Sequence, residues 1–189
     1  MILAAGAGRR MGGPKALVEW RGRSLLAHAL VNCARPSIAL RIAVLGCEAG
    51  RARRAAAADE AAVRWAVNPR WEDGMLSSVL CGLAAAESAA ADAVLLYPVD
   101  HPAIEPETID AVCAALAAGA ELVVPVYAGR RGHPGGFGRA RFAALREAPP
   151  EVGARAVLRT ASVVEVAAGP GCLRGVDTPD GLAALETRA

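Results

Sequence analysis

Aromatic side chains are scarce in this chain, where Phe, Trp and Tyr make up only 4% of 189 residues. Few platforms therefore exist on which the bases of a nucleic-acid single strand could stack. Excess charge is missing too. Twenty-one basic against 19 acidic residues leave a net +2, far from the cationic surface of a protein that coats nucleic acid. The five cysteines (Cys33, Cys47, Cys81, Cys113 and Cys172) stand singly, with no Cys-x-x-Cys pair and no cluster with His. That spacing speaks against a thiolate-held metal and for reduced thiols buried as small hydrophobes, as expected of a cytoplasmic protein. No apolar run reaches bilayer-spanning length, and no basic segment followed by an apolar stretch opens the chain as a secretory leader would. Linkers, repeats and low-complexity tracts are also lacking, so residues 1–189 are expected to form one domain. With 54% hydrophobic residues, the chain has enough apolar side chain for a sizeable core.

Apolar runs of strand length alternate with helical patterns along most of the chain. Strands are predicted at Ile2 to Ala5, Ile38 to Leu45, Val63 to Val67, Ala93 to Val99, Leu122 to Tyr127 and Val163 to Val166. Between them helices are predicted from Ser24, as N-cap, to Ala34, then to about Ala62, from Met75 to Ala90, and from Pro106 to about Ala118. The third of these should bury Leu76, Val79, Leu80 and Leu83. Residues 129–136 read as a loop. Helical stretches near Arg139 to Glu147 and Gly153 to Thr160 precede a last helix begun by Thr178-Pro179. This order predicts an α/β domain with a mainly parallel sheet covered on both faces. Ligands of such sheets lie beyond the carboxyl ends of the strands.

The segment after the first strand is Ala4-Ala5-Gly6-Ala7-Gly8-Arg9-Arg10-Met11-Gly12-Gly13-Pro14-Lys15. Its glycines let amide N–H groups face one point, and Arg9, Arg10 and Lys15 add fixed positive charge. Several phosphates at once, as in a nucleoside triphosphate, would satisfy such a loop, although a basic glycine turn in solvent has the same composition. It is neither a Walker loop, since Pro14 and Ala16 break the Gly-Lys-Ser/Thr order, nor a dinucleotide fingerprint, since Met11 stands where a third glycine belongs.

Later segments also end strands with polar residues. Asp100, after the most apolar strand, is either a carboxylate for Mg²⁺ or a cap on the next turn. Asp177 is a candidate second ligand, with Asp180 the better placed to serve a helix N-terminus. Asn68, Ser77 and Ser78 either cap a helix or meet a base and ribose, and Trp71 could cover them. Arg130-Arg131-Gly132-His133-Pro134 is a solvated loop or a site for an anionic second substrate, with His133 able to titrate near neutrality and placed in binding.

In this order the motifs resemble the MobA-like nucleoside triphosphate transferases, most closely the molybdenum cofactor cytidylyltransferase branch. The resemblance implies a Rossmann-like three-layer α/β/α fold of the nucleotide-diphospho-sugar transferase type. It implies transfer of CMP from CTP to the phosphate of molybdopterin with release of pyrophosphate, dependent on Mg²⁺, and a molybdoenzyme that receives the product. Arg10, Lys15 and Asp100 would be catalytic, and Asp100 and Asp177 would hold the metal. Leu3, Ala4, Ala5, Gly6, Gly8, Arg10, Lys15, Asn68 and Ser78 would bind the nucleotide, and Arg131, Gly132, His133 and Pro134 the acceptor. Ala5 favours CTP, because the guanylyl branch usually has a glycine there. The alternatives are transfer from GTP or to a sugar phosphate, and a non-catalytic nucleotide or cofactor chaperone. Three departures stand out: more apolar residues are expected ahead of Met1, Pro150-Glu151 replaces a Gly-Asp pair, and His101 stands where that branch often has Gln.

Overall fold

A strand forms within every apolar segment predicted as one in the computed structural model, which describes residues 1–56, 63–160 and 162–186; that of Ile38 to Leu45 begins only at Arg41. The elements run β1 (Ile2–Ala4), β2 (Glu19–Trp20), β3 (Arg23–Ser24), α1 (Leu25–Asn32), β4 (Arg41–Leu45), α2 (Ala49–Ala55) and β5 (Val63–Val67). They continue with α3 (Met75–Ser88), β6 (Ala93–Pro98), α4 (Pro106–Ala117), β7 (Leu122–Tyr127), β8 (Arg130–Arg131) and β9 (Gly135–Gly138). The last are α5 (Phe142–Arg146), α6 (Ala154–Thr160), β10 (Val164–Ala167) and α7 (Pro179–Glu186). The predicted extension of α2 to Ala62 falls on residues 57–62, outside those described.

An eight-stranded sheet runs β10-β7-β9-β6-β1-β4-β5, with β8 attached to β7. Pairing is parallel except around β9 and β8, which run antiparallel to their neighbours. β1 is central: Ile2 lies beside Ala43 on one side and Tyr97 on the other. The chain leaves β1 for β4 and β5, then returns to β6 on the opposite flank of β1. The carboxyl ends of β1 and β6 therefore border the topological switch point, where α/β sheets hold ligands.

Side chains alternate between two cores, one on each face of the sheet. Ala43, Leu45, Leu95 and Tyr97 join Leu25, Leu26, Leu30, Ile109 and Val112 on one face. Ile42, Val44, Val94 and Leu96 join Val79, Leu83, Phe142 and Leu145 on the other. This is the three-layer Rossmann-like arrangement. Each fully buried aliphatic side chain contributes about 1.5–3 kcal/mol, so both faces hold the carboxyl edge of the sheet as a rigid platform. Leu80 is only half buried, at the margin of the second core.

Ser24 caps α1 as predicted, accepting from Ala27 N at 3.2 Å. Two features differ from the sequence reading. The β2–β3 hairpin turns on Arg21 and Gly22, both at positive φ (48° and 75°), as a type I′ turn requires. Within residues 129–136, read as loop, lie β8 and the first half of β9. A Cβ at Gly136 would sit 2.9 Å from Val112 Cγ1, so the bare glycine backbone lets α4 pack directly on β9.

Candidate functional site

The glycine-rich segment folds back on itself where β1 ends. Met11 N donates to Gly8 O at 2.8 Å and Gly13 N to the same oxygen at 3.4 Å. Gly8 (φ 58°) and Gly12 (φ 75°) occupy the left-handed region that glycine tolerates. A Cβ on Gly8 would strike the Gly13 carbonyl and come within 2.9 Å of Lys15 N. That close approach brings Lys15 back over the carboxyl end of the sheet. Ala5 O accepts from Cys47 N at 2.9 Å, which ties the loop to the end of β4. Trp71 lies against Gly46, just past the end of β4.

Lys15 then meets both predicted metal ligands. Its Nζ donates to Asp100 Oδ2 at 2.6 Å and to Asp177 Oδ1 at 2.5 Å. Arg10 Nη2 lies 3.1 Å from the same Asp177 oxygen. Asp100 follows β6 and is pinned by Val176 N, which donates to Asp100 O at 2.8 Å and so brings Asp177 alongside. Thr178 Oγ1 caps α7 by accepting from Gly181 N at 3.2 Å, and Asp180 lies in the first turn. Asp177 is left to face Lys15 and Arg10.

Charge at this point is strongly coupled. Burial alone would raise the Asp100 carboxyl, but hydrogen bonds from His101 and Lys15 outweigh it and hold the group well below the usual carboxylate range. Burial likewise works against the Lys15 ammonium, and its bonds to Asp100 and Asp177 overcome that and raise its pKa. Asp100 is therefore ionised and accepts hydrogen bonds only.

The arrangement fits a divalent ion. Two carboxylate oxygens converge on one position, which the Lys15 ammonium marks. No cluster of three His, Cys, Asp or Glu occurs among the described residues. Mg²⁺ in phosphate chemistry commonly takes one or two carboxylates and completes its shell with phosphate oxygens and water.

Asn68 and Ser78 are buried and bonded to each other. Asn68 Nδ2 donates to Ser77 Oγ at 2.8 Å and to Ser78 Oγ at 3.1 Å, while its Oδ1 accepts from Arg70 N at 2.9 Å. Neither serine caps α3. The helix starts at Gly74 (φ 97°), and Ser77 Oγ lies 2.8 Å from Arg70 O and Gly74 O. Together they brace the β5–α3 turn beside the glycine loop.

In the second basic segment, Gly132 N donates to Pro125 O at 2.8 Å and His133 N to Cys172 O at 2.9 Å. Gly132 and His133 line a cavity of about 320 Å³ together with Leu3, Leu76, Pro98 and Arg155. Arg131 turns instead to Glu165, 2.8 Å away, and is exposed. Burial, then the neighbouring His101, lowers the His133 pKa to about 4. The expected titration near neutrality is thus corrected: His133 is a neutral imidazole at physiological pH.

Residues 1–166 match the family model described as MobA-like NTP transferase domain. The chain belongs to that family. Nicotine blue oxidoreductase of Paenarthrobacter nicotinovorans is 38% identical over 110 residues, 58% of this chain and 52% of that protein. Molybdenum cofactor guanylyltransferase of Pseudomonas fluorescens SBW25 is 37% identical over 108 residues, 56% of this chain and 48% of that protein. The chain spans about half the length of these two curated relatives. Rv0371c from Mycobacterium tuberculosis H37Rv superposes with a TM-score of 0.81 at 25% identity, covering 100% of this chain and 97% of that one. Its complex with manganese gives 0.76 at 26% identity, with the same coverage.

In the site of this MobA-like chain, arginine and lysine charges and a glycine-rich main chain meet two acids, a set of groups suited to a polyanion together with a cation. Lys15 is the only lysine in the sequence, the other basic residues all being arginine. A compact ammonium, unlike a planar guanidinium, fits between two converging carboxylates. His101, which donates to Asp100 at 2.8 Å, had drawn notice in the sequence only as a departure from Gln. Its contact with Asp100 is between adjacent residues, and no local pattern announces it.

Proposed function

We infer that the protein is a nucleotidyltransferase that moves CMP from CTP to the terminal phosphate of molybdopterin, releasing pyrophosphate. The convergence of Lys15, Arg10, Asp100 and Asp177 on one point at the carboxyl ends of β1 and β6 carries this reading. An acceptor phosphate oxygen attacks the α-phosphorus in line, forming a P–O bond as the bond to the bridging oxygen of pyrophosphate breaks. Little covalent chemistry falls to the protein, so positioning and charge neutralisation supply the acceleration.

Lys15 and Arg10 leave the carboxylates for the phosphate tail and offset the charge that builds on the departing pyrophosphate. Asp100 and Asp177, freed of Lys15, are the residues that hold Mg²⁺, which when bound neutralises phosphate oxygens and fixes their orientation. Leu3 to Gly6, Gly8 and the turn braced by Asn68 and Ser78 frame the nucleotide. Gly132, His133 and Pro134 frame the acceptor, where a neutral His133 can donate or accept a hydrogen bond without adding charge.

The test is pyrophosphate release with CTP, GTP, ATP or UTP, each with molybdopterin or common sugar phosphates. The expected result is turnover with CTP and molybdopterin, lost almost completely in Asp100→Ala and Lys15→Ala proteins that still fold. Faster release from GTP, which the resemblance to a guanylyltransferase makes the natural rival, would overturn the choice of base. CTP binding without pyrophosphate from any acceptor would turn the reading to a chaperone of nucleotide or cofactor.

A further inference from the structure

His101 joins three segments of the site, and its own chemistry defines what it does there. Its Nδ1 lies 2.8 Å from Asp100 Oδ1, on the opposite carboxylate oxygen from the one Lys15 takes. Its ring meets the His133 ring edge-to-face, with centroids 4.7 Å apart. Its other edge lies against Gly175, where a Cβ would come within 3.0 Å of His101 Cε1. The side chain is 14% exposed, so water does not compete freely for these contacts. The backbone is pinned as well: His101 O accepts from Tyr97 Oη at 2.8 Å, and Tyr97 is fully buried.

We propose that His101 is a positioning residue, whose Nδ1–H holds the Asp100 carboxylate so that Oδ2 faces the cation between Asp100 and Asp177. This rests on the reading of that pair as the seat of a divalent ion. The terminal torsion of an Asp side chain is broad and soft. One bond to a mobile ammonium does not fix it, particularly once that ammonium moves to phosphate. A second donor on the far oxygen does. The ionised Asp100 can only accept, so the shared proton resides on His101 Nδ1. Through these ring contacts the same residue keeps His133 and the segment leading to Asp177 in register with Asp100, so the acceptor loop and the cation seat share one support. Outer-sphere donors of this kind typically alter metal affinity 10–100-fold.

Two substitutions separate donor from packing. His101→Phe keeps a ring against His133 and Gly175 but has no N–H to donate. His101→Asn places an amide N–H close to the position of Nδ1 with less packing. Mn²⁺ affinity is read by electron paramagnetic resonance with CTP present, beside melting temperature and the separate kcat and KM values for the acceptor. His101→Phe should bind Mn²⁺ about 10–100-fold more weakly, with a fall in kcat and little change in acceptor KM, and His101→Asn should recover most of the affinity. His101→Leu supplies a second variant without a donor should the Phe protein fail to fold. Wild-type Mn²⁺ affinity in a folded Phe or Leu protein, or no recovery with Asn, would overturn the proposal while leaving the cation seat intact. A wild-type protein that binds no Mn²⁺ with CTP would overturn the seat itself, and this role of His101 with it.

Discussion

Replacing Lys15 with Met removes a charge held 2.5–2.6 Å from two carboxylates, and its cost can be bounded from the burial of the three groups. Lys15 and Asp100 side chains are 18% and 23% exposed, but Asp177 is 54% exposed. Breaking a fully buried pair by removing one partner costs about 3–5 kcal/mol, and exposed pairs are worth ~0–1 kcal/mol. The triad lies between these limits, and discounting the exposed Asp177 leaves about 2 kcal/mol. For a chain of this length that is a fall in Tm of roughly 4–8 °C. The pH dependence carries the sharper signature. In the wild type Asp100 sits below its unfolded value of 3.8, so its stabilisation is complete above that pH and is lost as pH falls through the native value. In Lys15→Met the hydrogen bond from His101 remains, and the share of that depression that Lys15 supplies is gone. The gap between the two proteins should therefore be full at pH 7 and close progressively below about pH 4. Denaturant titrations of both proteins at neutral and acid pH measure it. Equal stability at pH 7, or a gap that widens in acid, would refute the coupling of Lys15 to Asp100.

Three further outcomes follow from the geometry. Gly8→Ala places a Cβ 2.9 Å from Lys15 N at φ 58°, so CTP binding by calorimetry should be lost, whereas Gly12→Ala, at φ 75° with open space around it, should keep binding at a strain of about 1–2 kcal/mol. Gly132→Ala would set a Cβ 2.5 Å from Cys172 O and displace His133, raising acceptor KM in a pyrophosphate assay without changing that for CTP. Because the His133 pKa falls from 6.5 to about 4, the unfolded chain binds the proton first, and stability should drop as pH falls from 6.5 to 4, by roughly 3 kcal/mol at full titration. His133→Gln should flatten that limb of the stability curve, and an unchanged slope would contradict the burial of a neutral imidazole.

The parallel sheet was readable because its strands are continuous apolar runs, such as Val94 to Val99, that local composition announces. So was the meeting of the 4–15 loop with Asp100, since the rule that loops follow strand ends places both at the carboxyl edge; Asp177, 162 positions from Lys15, follows no strand directly, and only its residue chemistry and the family resemblance suggest it. What local pattern could not convey were elements made by packing rather than propensity. β9 is Gly-Gly-Phe-Gly, a poor strand by composition, and exists because α4 needs a surface without side chains. The β2–β3 turn uses Arg-Gly rather than the stronger Asn-Gly signal. Ser77 and Ser78 look like caps, yet Gly74 begins α3 and the hydroxyls bind Asn68 instead. The low pKa of His133 arises from burial beside His101, a neighbour 32 residues away in sequence that meets it only in the fold.

Crystals of the protein grown with CTP and Mn²⁺, with the anomalous signal of the metal recorded, test the central claim most directly. The expected map has one Mn²⁺ peak bound by Asp100 Oδ2 and Asp177 Oδ1, with Lys15 Nζ withdrawn from both and seated on the phosphate tail. A map with nucleotide bound away from the 4–15 loop, or with Lys15 still bridging the two carboxylates and the metal elsewhere, would contradict it.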